Sequence, residues 1–147
     1  MSYRSLGIFS LAALLSVLNA CSTFKPQPQA VHSFMERKQV KTSGDVTVSI
    51  VVPSAEESGV VFGVNVAKKK IQPFWLEIDN RSNDELMLLP ILIDHDYYAP
   101  LEVAYKFRNR WSKKKSREKD AFFTAMKMPH TIPPKTVVSG YVYGRRE

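Results

Sequence analysis

Residues 71–79 carry the sequence IQPFWLEID, and this stretch decides the fold class. Large apolar residues at 74, 76 and 78 alternate with Trp75, Glu77 and Asp79. A period of two is typical of a β-strand, whose successive side chains lie on opposite faces. Turn-forming residues occupy 80–84, and the apolar run 86–93 follows them. Strand, polar turn and strand predict a β-hairpin over 71–93, with Pro90 placing its far end at a sheet edge.

Two other segments show the same period. Residues 46–52 are rich in branched apolar side chains at alternate positions, and residues 136–143 alternate through Val138, Gly140 and Val142. Residues 59–66, bounded by glycine, are either a shorter strand or a wide loop. The sequence therefore predicts four or five strands.

A helical stretch interrupts these strands at about 98–128. Pro100 suits the first turn of a helix, and an apolar stripe follows it at Ala104, Phe107 and Trp111. A second helix is expected over 116–126. Its predicted buried residues are Ala121, Phe122, Ala125 and Met126. We therefore expect a mainly β domain over 41–147, an Ig-like β-sandwich with a two-helix insertion. The sandwich is incomplete or closed by earlier strands, because the last predicted strand has no following partner.

The amino-terminal twenty residues are organised like a secretory leader. Arg4 precedes an apolar stretch over 6–18, which is too short to cross a bilayer core that needs about 20 helical residues. Leu18-Asn19-Ala20-Cys21 ends it with the only cysteine of the chain. This run resembles the bacterial lipobox, whose cysteine receives diacylglycerol and, after cleavage, an amino-terminal acyl chain such as palmitate. We predict a signal peptide over 1–20 and lipid attachment at Cys21; an ordinary signal peptide is the alternative.

The residues after the leader indicate how the domain is held. Residues 21–40 contain Pro26 and Pro28 without a regular period, which predicts a flexible tether. Ser22, where an Asp would resemble an inner-membrane retention signal, favours the periplasmic face of the outer membrane. With Cys21 committed to lipid, no disulfide is available to the domain. The membrane is then a partner through the lipid anchor.

The formal net charge is +7, and much of the excess lies between 106 and 119. Glu118 alone opposes eight basic residues there: Lys106, Arg108, Arg110, Lys113, Lys114, Lys115, Arg117 and Lys119. In an exported protein this stretch would bind anionic lipid or acidic glycan, and nucleic acid is not an expected partner. The favoured alternative is a solvated connection between two helices, with Phe107 and Trp111 turned into the core.

Asp94-His95-Asp96 is the best local candidate for chemistry, because carboxylates and imidazole bind metals or act as bases. On a strand, however, the two carboxylates and the imidazole lie on opposite faces, so a turn before the following helix is expected instead. The sequence contains no nucleophile elbow, phosphate-binding glycine loop or cysteine–histidine pair. We therefore predict no catalytic residue, no metal, no cofactor and no enzymatic activity.

Several short segments resemble a group of uncharacterised bacterial lipoproteins. They include Phe62-Gly63-Val64-Asn65, the run 71–78, Asp96-Tyr97-Tyr98-Ala99-Pro100, and Ser139-Gly140-Tyr141-Val142. Members often carry this module ahead of a region similar to the LssY carboxy-terminal domain. The resemblance covers roughly 31–143 and implies no assigned activity. Compared with that pattern we expect this copy to be shortened, because no second region of that kind follows in the sequence.

These observations predict a membrane-anchored cell-envelope lipoprotein that acts as a non-enzymatic binding or structural module, with an envelope protein as a candidate partner. One alternative is a truncated accessory component of a lipid-phosphate enzyme system. Another is a module that binds anionic lipid or glycan through 106–119.

Overall fold

The computed structural model describes residues 24–147, which form a mostly β fold with a few helices. The strands are β1 (Gln39–Ser43), β2 (Val46–Val51), β3 (Ile71–Asn80), β4 (Leu86–Met87), β5 (Thr131–Ile132) and β6 (Thr136–Arg145). The α-helices are α1 (Ala55–Phe62), α2 (Pro100–Tyr105) and α3 (Lys113–Ala125). Short 3-10 helices lie at Pro28–Ser33, Met35–Arg37, Ala67–Lys69 and Pro90–Leu92. No helix within 24–147 has both the length and the apolar character to span a membrane.

The predicted strand at 71–79 is confirmed as β3, a ten-residue central strand of an antiparallel sheet ordered β1-β2-β3-β6. The predicted hairpin over 71–93 is wrong. β2 occupies one edge of β3 and β6 the other, so neither edge is left for residues 86–93. That run supplies only the two-residue β4, which pairs with β5, and Pro90, which lacks an N–H donor, starts a 3-10 turn.

Different layers cover the two faces of the large sheet. Trp75 and Tyr141 lie opposite each other in the β3–β6 register and pack under the helices. Leu76 and Val142 face the other way, against Met128 and Ile132 beside the β4–β5 ribbon. An Ig-like sandwich is not confirmed within 24–147, because helices cover the Trp75 face and the second sheet has only two short strands.

Residues 59–66 differ from the expected strand or loop, because α1 covers the first four of them. A capping box begins the helix: the Ser54 hydroxyl accepts from the Glu57 N–H at 3.2 Å, and the Glu57 carboxylate accepts from the Ser54 N–H at 2.7 Å. Gly63 ends it at φ +62°, a left-handed conformation that favours glycine. The Ser54-x-x-Glu57 spacing is a helix-start signal that outweighs the glycine-bounded pattern.

Acid should weaken the start of α1 through Glu57. The Arg37 guanidinium binds this carboxylate at 3.0 and 2.7 Å and, with Ser54, lowers its pKa from 4.5 to about 2. A lowered folded-state pKa stabilises the fold above pH 4.5, and this stability is lost as the pH falls towards 2.

We expect Glu57→Gln, which keeps a capping-box side chain but removes the charge that pairs with Arg37, to lower the free energy of unfolding by about 0.5 kcal/mol at neutral pH and to flatten its pH dependence in this acid window. Urea denaturation at several pH values measures both effects. Glu56→Gln, exposed in the same first turn, is the matched control. Equal acid sensitivity of Glu57→Gln and the unmodified chain would contradict the assignment.

The amino-terminal segment is not the expected flexible tether where the structure describes it. The Gln27 N–H donates to the carbonyls of Val60 and Val61, both at 3.1 Å, and Phe34 is fully buried. The close approach of Lys25 and Pro26 to α1 requires Gly63, since a Cβ there would lie 2.6 Å from the Pro26 nitrogen. The packed fold therefore already includes Phe24 and does not start near residue 41.

The two predicted helices are present as α2 and α3, but α3 begins at Lys113 and buries a different residue. Phe123 is fully buried, stacked on Phe62 at 5.4 Å between ring centroids and on Phe107 at 6.2 Å. The prediction that Ala121 and Ala125 are buried is wrong, since both are exposed. Phe122 and Met126 are partly buried as neighbours of the core. The aromatic cluster therefore sets which side of α3 faces inward.

Candidate functional site

The basic stretch 106–119 runs from the end of α2 through a short loop into α3. The Ser112 hydroxyl accepts from the Lys115 N–H at 3.3 Å and caps the helix. In the loop, the Asn109 N–H donates to the Ser116 hydroxyl at 3.1 Å, and the Asn109 side-chain oxygen accepts from the Trp111 N–H at 2.8 Å. These bonds give the loop a defined backbone and fix the position from which Trp111 projects.

Trp111 projects into solvent. Its side chain is 91% exposed, whereas Trp75, the other tryptophan, is 7% exposed beneath the helices. The prediction that Trp111 turns into the core is therefore wrong, while Phe107 does pack against the core. α2 ends at Tyr105 and α3 begins at Lys113, so Trp111 lies in the loop between them and the predicted helical stripe does not reach it.

Three of the eight basic residues serve the fold. The Lys119 ammonium donates to the Phe107 carbonyl at 2.6 Å, and burial, followed by the nearby charge of Lys115, lowers the Lys119 pKa. Arg108 pairs with Asp120 at 3.2 Å. The Lys106 ammonium lies 4.6 Å from the centre of the Tyr98 ring. Lys106, Arg108 and Lys119 thus hold the loop and α2 to neighbouring elements.

The remaining cations lie outward. We call the exposed set Arg110, Trp111, Lys113, Lys114 and Arg117 the basic face; Lys115 is half-buried at its border. Within 24–147, no carboxylate forms an ion pair with any cation of the basic face. The first turn of α3 contains three lysines and no acidic residue. This arrangement opposes the helix dipole, whose positive end lies there.

Phe24 joins this helix to the amino-terminal end of the fold. Its ring packs edge-on against Phe122 at 5.6 Å, and the Lys119 ammonium lies 5.6 Å from its centre. Cys21 and the predicted signal peptide over 1–20 lie outside the described residues. Cys21 nevertheless precedes Phe24 by only three positions, so the chain length limits the distance between their Cα atoms to about 11 Å.

The run 94–96 has a structural role in the described residues. The Asp94 carboxylate accepts from the Arg145 N–H and from the Asp96 N–H, both at 2.8 Å, which forms a turn and covers the edge of β6. Asp96 pairs with the Arg145 guanidinium at 3.2 Å, while the His95 side chain is 94% exposed. Within residues 24–147, no three His, Cys, Asp or Glu side chains come together as metal ligands.

Comparison with known proteins assigns no family. The chain matches no family model, and searches of curated proteins and of solved structures also return no match. The resemblance to bacterial lipoproteins therefore stays a prediction.

Proposed function

We propose that this chain is a lipid-anchored, non-enzymatic binding or structural protein of the bacterial cell envelope, attached through Cys21 on the periplasmic face of the outer membrane. The leader and its Leu18-Asn19-Ala20-Cys21 ending support the anchor. Two or three acyl chains on one cysteine give stable membrane residence, which a single chain does not.

The packing of Phe24 is the observation that carries this proposal furthest. Only Ser22 and Thr23 separate the proposed lipid from a side chain that packs against α3. A lipid at Cys21 would therefore hold the folded domain directly against the membrane surface, without a spacer of several nanometres. A module positioned in this way acts at the membrane surface itself.

The non-enzymatic part of the proposal is supported by how the best catalytic candidates are used. The Asp94 carboxylate accepts backbone N–H groups of the fold, and Asp96 binds a guanidinium. These bonds give both carboxylates a structural role. The exposed chemistry of the basic face is cationic and aromatic, which suits binding.

Mass spectrometry of the protein extracted from the membranes of an expressing bacterium tests the anchor. We expect an amino-terminal peptide that begins at Cys21, with diacylglycerol on its sulfur and an acyl chain on its amino group. A peptide that retains residues 1–20, or an unmodified Cys21, would reject the proposal.

A further inference from the structure

We propose that the basic face docks on the anionic phospholipid headgroups of the membrane that holds the Cys21 lipid. This inference rests on the proposed anchoring and names the surface that the anchored domain uses. The ligand class is a phospholipid bilayer with a net negative surface.

Charge and side-chain type favour this occupant. The basic face combines the exposed Arg110, Lys113, Lys114 and Arg117 with the exposed Trp111 indole within eight sequence positions, and the exposed Glu118 offsets one charge. Lys and Arg near an anionic membrane contribute about 1 kcal/mol each, and tryptophan is enriched at the level of the headgroups. A soluble acidic glycan would use the cations but gives no comparable reason for the exposed indole.

The short sequence distance between Cys21 and Phe24, which packs on α3, brings the basic face near the proposed lipid. α3 is the helix that holds Phe24, through Phe122 and Lys119. Lys114 lies eight residues before Phe122 on α3, which corresponds to about 12 Å along the helix axis. Electrostatic attraction is screened over about 8 Å at physiological salt, so cations act on a membrane only when the domain is held close to it. Anchoring three residues before Phe24 provides that closeness.

In the isolated domain, the lysines at the start of α3 and the exposed Trp111 do not contribute to stability, and this supports the same inference. Three lysines at the positive end of α3 oppose the helix dipole, and a tryptophan that is 91% exposed gains nothing from the core. Headgroup phosphates near this helix end would offset the repulsion, and the interface would receive the indole. Residues that oppose the stability of a fold are expected mainly at sites where they serve function.

The test uses the lipidated full-length protein, extracted from membranes and reconstituted into vesicles. Brominated phospholipids quench tryptophan that reaches the headgroup level, and the buried Trp75 serves as the internal reference. We expect quenching and a blue shift of Trp111 in vesicles that contain phosphatidylglycerol, and neither in phosphatidylcholine alone. Both signals should be absent in Trp111→Phe.

A charge variant measures the contribution of the basic face. Lys113→Gln/Lys114→Gln/Arg117→Gln should weaken docking on the order of 100-fold, read from the salt concentration and lipid charge needed for half quenching. Lys38→Gln/Lys41→Gln/Lys68→Gln removes the same number of exposed charges away from α3 and should change docking little. An equal loss in both triple variants would overturn the inference, because bulk charge would then explain it.

Three further outcomes overturn the inference. The first is equal quenching of Trp111 in the two lipids, and the second is no quenching in either lipid. The third is a blue shift of Trp111 fluorescence on adding an acidic polysaccharide, without quenching by brominated lipid. The mass of the same preparation separates this inference from the anchoring. If Cys21 carries no lipid, the anchoring fails. In that case quenching that depends on phosphatidylglycerol, after vesicles are added to the unlipidated chain, would still support docking, and its absence would reject both.

Discussion

Replacing Cys21 with alanine is expected to abolish the incorporation of tagged palmitate and the partitioning of the protein into detergent. Each buried methylene of an acyl chain contributes about 0.8 kcal/mol to membrane binding, so the loss of two or three chains removes stable residence. Labelling in growing bacteria, followed by detergent phase separation, measures both effects. We expect the signal to fall to background, the largest change foreseen for any single substitution in this chain.

Ser22→Ala is the matched control for this experiment, since it changes the next residue and leaves the thiol in place. It should label and partition like the unmodified protein. Undiminished palmitate labelling of Cys21→Ala would place the lipid elsewhere or show that there is none, and the proposed anchor would be wrong.

Gly140→Ala should produce the largest loss of stability within the described fold. A Cβ at this position of β6 would lie 2.6 Å from the Lys127 carbonyl group and from the Met128 Cα. Residues 126–128 run beside β6 there and form a parallel bridge with it: the Tyr141 N–H donates to the Met126 carbonyl at 2.8 Å, and the Tyr141 carbonyl accepts from the Met128 N–H at 2.9 Å. The added methyl group must push two backbones apart. We expect a loss of about 3 kcal/mol or more in the free energy of unfolding.

Urea denaturation followed by the fluorescence of the buried Trp75 measures this loss. Gly59→Ala is the matched control, because Gly59 lies in α1 with open space around its Cα. Alanine in a helix should raise the stability there by about 0.5–1 kcal/mol. A Gly140→Ala protein as stable as the unmodified one would show that residues 126–128 do not lie as close to β6 as described.

The sequence predicts the individual strands better than their partners. The period of two locates β2, β3 and β6, because each is part of a sheet with an apolar face. The partners of β3 depend on tertiary structure: β2 and β6 pair with its two edges, and the apolar run 86–93, which is nearest in sequence, does not pair with it. α1 differs from the sheet pairing, since the Ser54-x-x-Glu57 spacing is a local helix-start signal that outweighs the glycine-bounded pattern at 59–66.

Some features of the candidate site can also be predicted from the sequence, whereas others depend on tertiary contacts. The charge of 106–119 is visible in the sequence, but which cations are engaged depends on contacts made by Asp120, Tyr98 and the Phe107 carbonyl. The exposure of Trp111 follows from the turn at Asn109. The apolar spacing of Ala104, Phe107 and Trp111 predicts a continuous helix instead. The packing of Phe24 on Phe122 joins residues far apart in the sequence, and no local pattern indicates it.

Neutron reflectometry of the lipidated protein on a supported bilayer tests most directly whether the lipid holds the domain against the membrane. Because Phe24 is already packed on the fold, we expect protein density to start at the headgroups, with a water layer no thicker than about 11 Å. If residues 22–40 formed an extended tether instead, a water layer of up to about 60 Å would separate the domain from the lipid. A gap of that size would contradict direct contact between the domain and the membrane.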